Sequence, residues 1–278
     1  MITSSLSKEI ETIRGSLTQY RKENIYKDLI SFIDLTTLNS TDTNTTVRAM
    51  AEKVNNFKNL YPEFPYVASI CTYPNFSSLI KEVLKVPGVK ITAVGGCFPA
   101  SQSFDEIKTA ECRIAVEKGA DEIDIVLPLN KFMDNRYEDV YNELSLLREA
   151  TKGATLKIIL ETGALREPEI IAKACDIAME CGADFLKTST GKLEPAATPE
   201  AAHIMCSKIF EKYRKDGTMT GFKPAGGIAT IDDALMYYAI ADKVLGNKWL
   251  TPEYFRIGAS RLANKLLSQV IGYEVTYF

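Results

Sequence analysis

From about residue 31 to the C-terminus, short runs of apolar and β-branched residues alternate with longer stretches of helical periodicity. Bounded apolar runs of strand length read as buried β-strands, and apolar positions recurring every three or four residues read as amphipathic helices. Eight strands are expected: 31–36 (SFIDLT), 66–72 (YVASICT), 89–94 (VKITAV), 121–128 (DEIDIVLP), 155–162 (TLKIILET), 183–189 (ADFLKTS), 221–226 (GFKPAG) and 254–259 (YFRIGA). Between them lie helical segments such as 103–119, 166–182 and 230–246, each ending on a glycine. Glycine is favoured just past a helix C-terminus because it adopts left-handed backbone angles without strain.

Strands alternating with helices run parallel, joined by crossover helices. Eight such units favour a closed (β/α)8 TIM barrel over an open doubly wound sheet. Asp124, Lys157, Lys187 and Lys223 fall near the ends of consecutive expected strands, at steps of 33, 30 and 36 residues. Each step is about one βα unit. No internal repeat, low-complexity stretch or long linker divides the chain. Residues 1–278 are therefore expected to form one barrel domain, with 1–30 as an N-terminal helical extension laid against it.

Composition narrows the function. The chain has 33 basic and 36 acidic residues, a net charge of −3, and so no general field for nucleic acid or an anionic membrane. An anionic ligand must be captured by a local arrangement of groups. Mean hydropathy is −0.07 and no window of transmembrane length is apolar throughout. The N-terminal stretch carries charges where a signal peptide needs an apolar core. Six cysteines form no Cys-x-x-Cys pair and there is one histidine, so neither a zinc site nor a disulfide framework is expected. Reduced thiols in a cytoplasmic protein are the simplest reading. His203, in a helical pattern, reads as a packing residue, which leaves Ser-His-Asp and Cys-His chemistry without a base.

Catalytic groups of such barrels sit at the C-terminal ends of the strands. There Asp34, Asp124, Glu161, Lys187 and Lys223 interrupt runs that should otherwise be apolar. Burying charge costs several kcal/mol unless it is paired, so their convergence reads either as a working site or as internal ion pairs. Lys187 directly follows the apolar ADFL, where burial disfavours its ammonium form. A neutral amine there attacks a carbonyl to form an imine; the plainer alternative is a lysine that binds phosphate or a carboxylate. Lys223, at the end of the next strand, would lower the pKa of Lys187 further by like-charge repulsion. Asp124 would move protons, directly or through a water. Cys71, near the end of the second strand, could line the site, but a buried structural thiol is the simpler reading. Gly191, Gly226, Gly227 and Gly258 follow the sixth to eighth strands, where barrels hold phosphate on backbone N–H groups and a helix N-terminus. Lys192, Ser260 and Arg261 could add side-chain donors; no Walker A motif occurs.

The motifs 34–38 (DLTTL), 120–126 (ADEIDIV), 157–163 (KIILETG), 185–192 (FLKTSTGK), 221–227 (GFKPAGG) and 256–260 (RIGAS) resemble, in order, those of deoxyribose-phosphate aldolase, over roughly residues 31–270. The resemblance implies a TIM barrel that cleaves 2-deoxy-D-ribose 5-phosphate reversibly to acetaldehyde and D-glyceraldehyde 3-phosphate, in deoxynucleoside catabolism. It implies no metal or organic cofactor, a small phosphorylated sugar as the only ligand, and a homo-oligomer such as a dimer. It makes Lys187 the Schiff-base lysine and Lys223 with Asp124 the proton-transfer pair. It places phosphate on Gly191, Lys192, Gly226, Gly227, Gly258 and Ser260. The chain departs from that pattern at Arg261, where a second serine is expected, at Ala229, where a polar or basic residue is expected, and in the 95–101 turn (GGCFPAS), which is less glycine-rich. Arg261, at an expected helix start, is the candidate to compensate at the phosphate. Tyr277 lies close to the tyrosine end of some relatives and could reach the site, although a chain end is ordinarily disordered. Three other readings stay open: a Schiff-base lyase for another aldehyde or keto acid, an isomerase using Asp124 and Lys223 without a covalent step, and a barrel that only binds phosphorylated ligands.

Overall fold

The computed structural model describes residues 2–278, with side chains from residue 5 onward. Met1, the first residue of the expected 1–30 extension, lies outside the described residues. Helices α1 (Ile2–Gly15) and α2 (Glu23–Ser31) precede the first strand, β1 (Ile33–Thr36). Then α3 (Asn44–Leu60) leads to β2 (Ser69–Thr72), α4 (Ser77–Val83) to β3 (Lys90–Val94), and α5 (Asp105–Glu117) to β4 (Glu122–Val126). Helices α6 (Leu129–Met133) and α7 (Tyr137–Ala150) precede β5 (Thr155–Ile159), and α8 (Thr162–Leu165) and α9 (Pro168–Glu180) precede β6 (Phe185–Lys187). Finally α10 (Pro199–Asp216) leads to β7 (Gly221–Lys223), α11 (Ile231–Val244) to β8 (Ile257–Ala259), and α12 (Leu262–Ile271) follows.

All eight expected strands are present, shortened at their ends. Ser31 closes α2 instead of opening β1. The strands are parallel in the order β7-β6-β5-β4-β3-β2-β1-β8, and β1 pairs with β8. Two isolated bridges, Phe222 with Phe255 and Ala225 with Gly258, join β7 to the β8 side and close the ring. The chain is a (β/α)8 barrel, as its alternation of elements implies. Gly119, Gly182 and Gly246, which end the three expected helical segments, all have left-handed angles just beyond α5, α9 and α11. Thr230 caps α11 with a reciprocal capping box, satisfying N–H groups that the first helical turn leaves free.

Each strand shows period-two alternation. One set of positions, including Ile33, Leu35, Ile70, Ile123, Ile125, Leu156, Ile158, Leu186, Phe222 and Ile257, belongs to the continuous apolar core shared with the helices. Each such side chain contributes about 1.5–3 kcal/mol on burial. The other set points into the barrel, where Asp34, Glu122, Asp124, Lys157, Lys187 and Lys223 stand beside neutral residues such as Ser69, Cys71, Thr92 and Phe185. The N-terminal extension packs outside the ring: α1 lies on α10 and α11, and His203 Nε2 stands 3.0 Å from the Glu9 carboxylate. His203 is thus a packing residue between helices. Among the described residues no helix is long and apolar enough to cross a membrane.

The loops after the strands are packed closely as well. At Gly163, in α8, a Cβ would fall 1.8 Å from the carbonyl oxygen of Pro195, in the loop after β6. Because the obstacle is backbone, a side chain there must displace that loop. Gly163→Ala is therefore expected to destabilise the fold by about 1–3 kcal/mol, seen as a lower urea midpoint at an unchanged slope.

Candidate active site

The two lysines at the strand ends are brought together by register. Lys187 closes β6, Lys223 closes β7, and they are partners across the parallel ladder. Adjacent strands lie about 4.8 Å apart, so two inward side chains at one level must share their surroundings. They share Asp124, on β4. Its Oδ2 accepts from Lys187 Nζ at 2.7 Å and from Lys223 Nζ at 2.8 Å, while its Oδ1 accepts from Lys157 Nζ at 3.0 Å. Asp124, Lys157 and Lys223 have no exposed surface and Lys187 has 3%.

The three ammonium groups differ in what else they touch. Lys157 also pairs with Glu122 at 2.5 Å, and Lys223 also pairs with Asp34. Among the described residues, Lys187 has Asp124 as its one ion-pair partner. The electrostatics follow. Burial opposes the charge on Lys157 and on Lys223, but the carboxylates beside them outweigh it and hold both ammonium groups above the usual range. At Lys187 burial wins; Lys223 pushes in the same direction, a single carboxylate does not offset them, and the pKa falls. Burial is thus the larger cause and like-charge repulsion from Lys223 the smaller. Asp124 stays ionised because Lys157, Lys187 and Lys223 outweigh its own burial and hold its carboxyl well below the usual range.

A cavity of about 830 Å³ opens at the C-terminal end of the barrel, with Lys187 on its floor. Asp124 and Lys223 lie beneath that floor and do not line it. Gly191, Lys192, Gly226, Gly227, Gly258 and Ser260 all line it, as do Ala229 and Arg261. So do Lys53 and Lys265, and no acidic side chain does among the described residues. In a chain of net negative charge, this mouth is locally cationic. At Gly226, with φ +85°, a Cβ would stand 2.6 Å from Ala196 Cβ and 3.1 Å from Gly191 Cα, so the loops after β6 and β7 meet backbone to backbone. Thr188 ties them together: its hydroxyl donates to Ala225 O at 3.2 Å and accepts from Ala225 N–H at 3.0 Å. Lys192 Nζ reaches across to the carbonyl of Leu38 at 2.5 Å. Arg261 is exposed and immediately precedes α12.

Other expected residues take different places. Glu161 has a left-handed backbone and accepts from the N–H and hydroxyl of Thr190, so it holds the β6 loop and does not join the lysines. Cys71 is buried and its thiol is pushed up by that burial, as befits a structural thiol. The 95–101 turn is ordered: Cys97 N–H donates to Glu111, Lys108 Nζ donates to Ser101 O, and Phe98 packs edge-on to Tyr73. The C-terminal tail is ordered too, contrary to expectation. Tyr277 does not line the cavity; its hydroxyl donates at 2.6 Å to the backbone carbonyl of Lys53, a residue of the cavity wall, and it is Phe278 that borders the cavity. Asn264 fixes this tail by accepting from both Tyr277 and Phe278 N–H.

Glu122 and Arg256 are absent from the residues expected at the site, yet both belong to its charge network. Arg256 donates to Asp34 at 2.7 Å and to Glu122 at 2.8 and 3.2 Å. The signals were a second acid two positions before Asp124, on the same side of one strand, and an arginine inside an apolar run.

Residues 29–264 match the model of the family described as DeoC/LacD family aldolase. A Caenorhabditis elegans protein named for deoxyribose-phosphate aldolase is 39% identical over 264 residues, covering 94% of this chain and 87% of that one. Among solved structures, the deoxyribose phosphate aldolase from Aeropyrum pernix, described as tetrameric, is 26% identical with a TM-score of 0.70, covering 92% of this chain and 96% of that one. The aldolase QR15 is 28% identical with a TM-score of 0.73, covering 89% of this chain and 99% of that one.

Removing one partner of a buried ion cluster strands the others. Asp124→Asn is expected to cost about 3 kcal/mol or more, whereas Lys187→Met, which removes the least compensated cation, should leave the urea midpoint unchanged or raise it. Equal losses in the two variants would contradict this account of the charges.

Proposed function

Because the chain belongs to the DeoC/LacD family of aldolases, we propose that it cleaves 2-deoxy-D-ribose 5-phosphate reversibly to acetaldehyde and D-glyceraldehyde 3-phosphate through an imine on Lys187. The observation that carries this reading is that Lys187 alone among the three lysines on Asp124 reaches the cavity and alone has its pKa lowered. A neutral amine facing substrate is what nucleophilic attack on a carbonyl requires.

In this reading the Lys187 amine adds to C1 of the open-chain sugar, and loss of water gives the protonated imine. Removal of the proton from the C3 hydroxyl lets its electron pair form the C3=O double bond while the electrons of the C2–C3 bond move toward C1. The C2–C3 bond thus breaks toward the imine, leaving an enamine and releasing the three-carbon aldehyde. Protonation of C2 and hydrolysis then free acetaldehyde and the amine. Lys223 and Asp124 are the acid–base groups nearest the Lys187 nitrogen, and because they lie under the floor, a water carries protons between them and the substrate. The phosphate rests on backbone N–H groups at Gly191, Gly226, Gly227 and Gly258 and on Lys192, Ser260 and Arg261. The N-terminus of α12 adds favourable potential, and Arg261 supplies the charge that Ala229 lacks.

The same reading makes residues 1–278 one catalytic domain and places the enzyme in the cytoplasm, in deoxynucleoside catabolism. It also makes the enzyme a homo-oligomer, at least a dimer. The tetrameric Aeropyrum pernix relative and the exposed Phe104, Ile107 and Met133 support self-association.

Borohydride reduction with labelled acetaldehyde is expected to leave one permanent adduct, located at Lys187 by mass spectrometry, and Lys187→Ala should abolish both adduct and turnover. An active Lys187→Ala enzyme, or an adduct elsewhere, would overturn the mechanism in favour of a non-covalent one. Arg261→Ser should raise KM for the phosphorylated sugar about tenfold or more, the loss of one charge-assisted contact, while leaving acetaldehyde trapping intact. An unchanged KM removes Arg261 from the phosphate site.

A further inference from the structure

The charges on the barrel axis do not end beneath Lys187. Glu122, the first residue of β4, and Arg256, just before β8, line a second cavity of about 480 Å³ at the opposite, N-terminal end of the barrel. Both are nearly fully buried, with 2% and 5% of their surface exposed. The guanidinium of Arg256 forks onto Glu122 and Asp34, and from there two branches climb to the upper cavity. One runs from Glu122 through Lys157 to Asp124 and Lys187. The other runs from Asp34 through Lys223 to Asp124 Oδ2, the oxygen that Lys187 also uses.

Inside this ring stand three carboxylates, Asp34, Glu122 and Asp124, and four cations, Lys157, Lys187, Lys223 and Arg256. The single surplus positive charge disappears when Lys187 gives up its proton. Arg256 cannot give one up. Resting on the reading of Lys187 as the amine nucleophile, we infer that Glu122 and Arg256 are positioning residues that set, from the far end of the barrel, the charge balance under which Lys187 loses its proton.

The sign follows from shared partners. The groups facing Lys187 are Asp124 on β4, Lys223 on β7 and the neutral thiol of Cys71 on β2. Those facing Glu122 are Lys157 on β5, Arg256 before β8, Asp34 on β1 and the hydroxyl of Thr92 on β3, which donates at 2.8 Å. Without the charge of Glu122, Lys157 leans on Asp124 and on the more distant Asp34, 3.9 Å away, and competes for Asp124 with Lys187, whose ammonium is then less favoured. Without Arg256, Glu122 has Lys157 as its remaining cation and draws it off Asp124, which favours the ammonium of Lys187.

Borohydride trapping with acetaldehyde alone, followed against pH, reads this balance directly, since only the amine form of Lys187 reacts and the rate climbs with pH. At one pH on the climbing limb, Glu122→Gln should raise the trapping rate about three- to tenfold and Arg256→Met should lower it by a similar factor, the effect of a displaced pKa. Arg256→Lys, which keeps the charge, and the doubly neutral Glu122→Gln/Arg256→Met should both return the limb to its wild-type position. Should Arg256→Met fail to fold, displacement in Glu122→Gln and its reversal in the double variant decide the matter. Limbs that move the same way in both single variants, or rates that fall with no displacement, would reduce the pair to structural support and overturn the inference. A wild-type protein that forms no adduct at Lys187 would instead overturn the Schiff-base reading beneath it.

Discussion

One carboxylate carries three ammonium groups, and the rest of the site is a consequence of that sharing. Asp124 has two oxygens; Lys157 takes one, and Lys187 and Lys223 divide the other. In water such crowding would be screened, but at the centre of a barrel each pairing must offset the loss of hydration. Lys157 and Lys223 are secured by second carboxylates and Lys187 is not. Its proton is therefore the most weakly held of the three, and it is also the one beneath open space. The weakly held proton and the access to open space coincide at Lys187, whereas Lys223, at the same level on the next strand, has a second carboxylate and does not line the cavity.

The arrangement depends on a division of labour across each strand. Outward positions are apolar and pack under the helices, where most of the stability resides. Inward positions of β1, β4, β5, β6 and β7 carry charge, whereas the interior of a barrel of this kind is ordinarily filled by branched aliphatic side chains. A buried ion cluster seldom exceeds in stability the apolar packing it displaces, so the charged interior is retained for what it does.

Much of this was legible in the sequence, for definite reasons. Period two reports which side of a strand a residue occupies, and the distance between strand ends reports the βα repeat; together they bring Lys187 beside Lys223 and place Asp124 inside. The glycines of the loops after the sixth and seventh strands likewise fall on one cavity, together with Gly258, which lies within the eighth strand and not after it. Periodicity does not report which inward residues meet across the barrel, since that depends on strand tilt and shear. Glu122 and Arg256 were for that reason invisible as partners, 134 residues apart in the chain. The tail was misjudged on similar grounds: nothing local to residues 274–278 reveals that Asn264 will bind their backbone. Glu161 has the composition of a catalytic acid, and only its left-handed backbone and its contact with Thr190 show it to be a brace.

The pairing of Asp34 with Arg256 spans 222 residues and sits at the seam where the first strand meets the last. Until the barrel closes, an arginine and an aspartate destined for the interior lack their counter-charges, which come from Glu122 and Lys223 as well as from each other, and desolvating them is prohibitive. Ring closure and charge neutralisation must therefore occur together, late and cooperatively, in a chain whose defining contacts are among the most non-local it can make. A half-assembled barrel would have no partial catalytic competence, and the appearance of activity during refolding would mark the moment the ring closes.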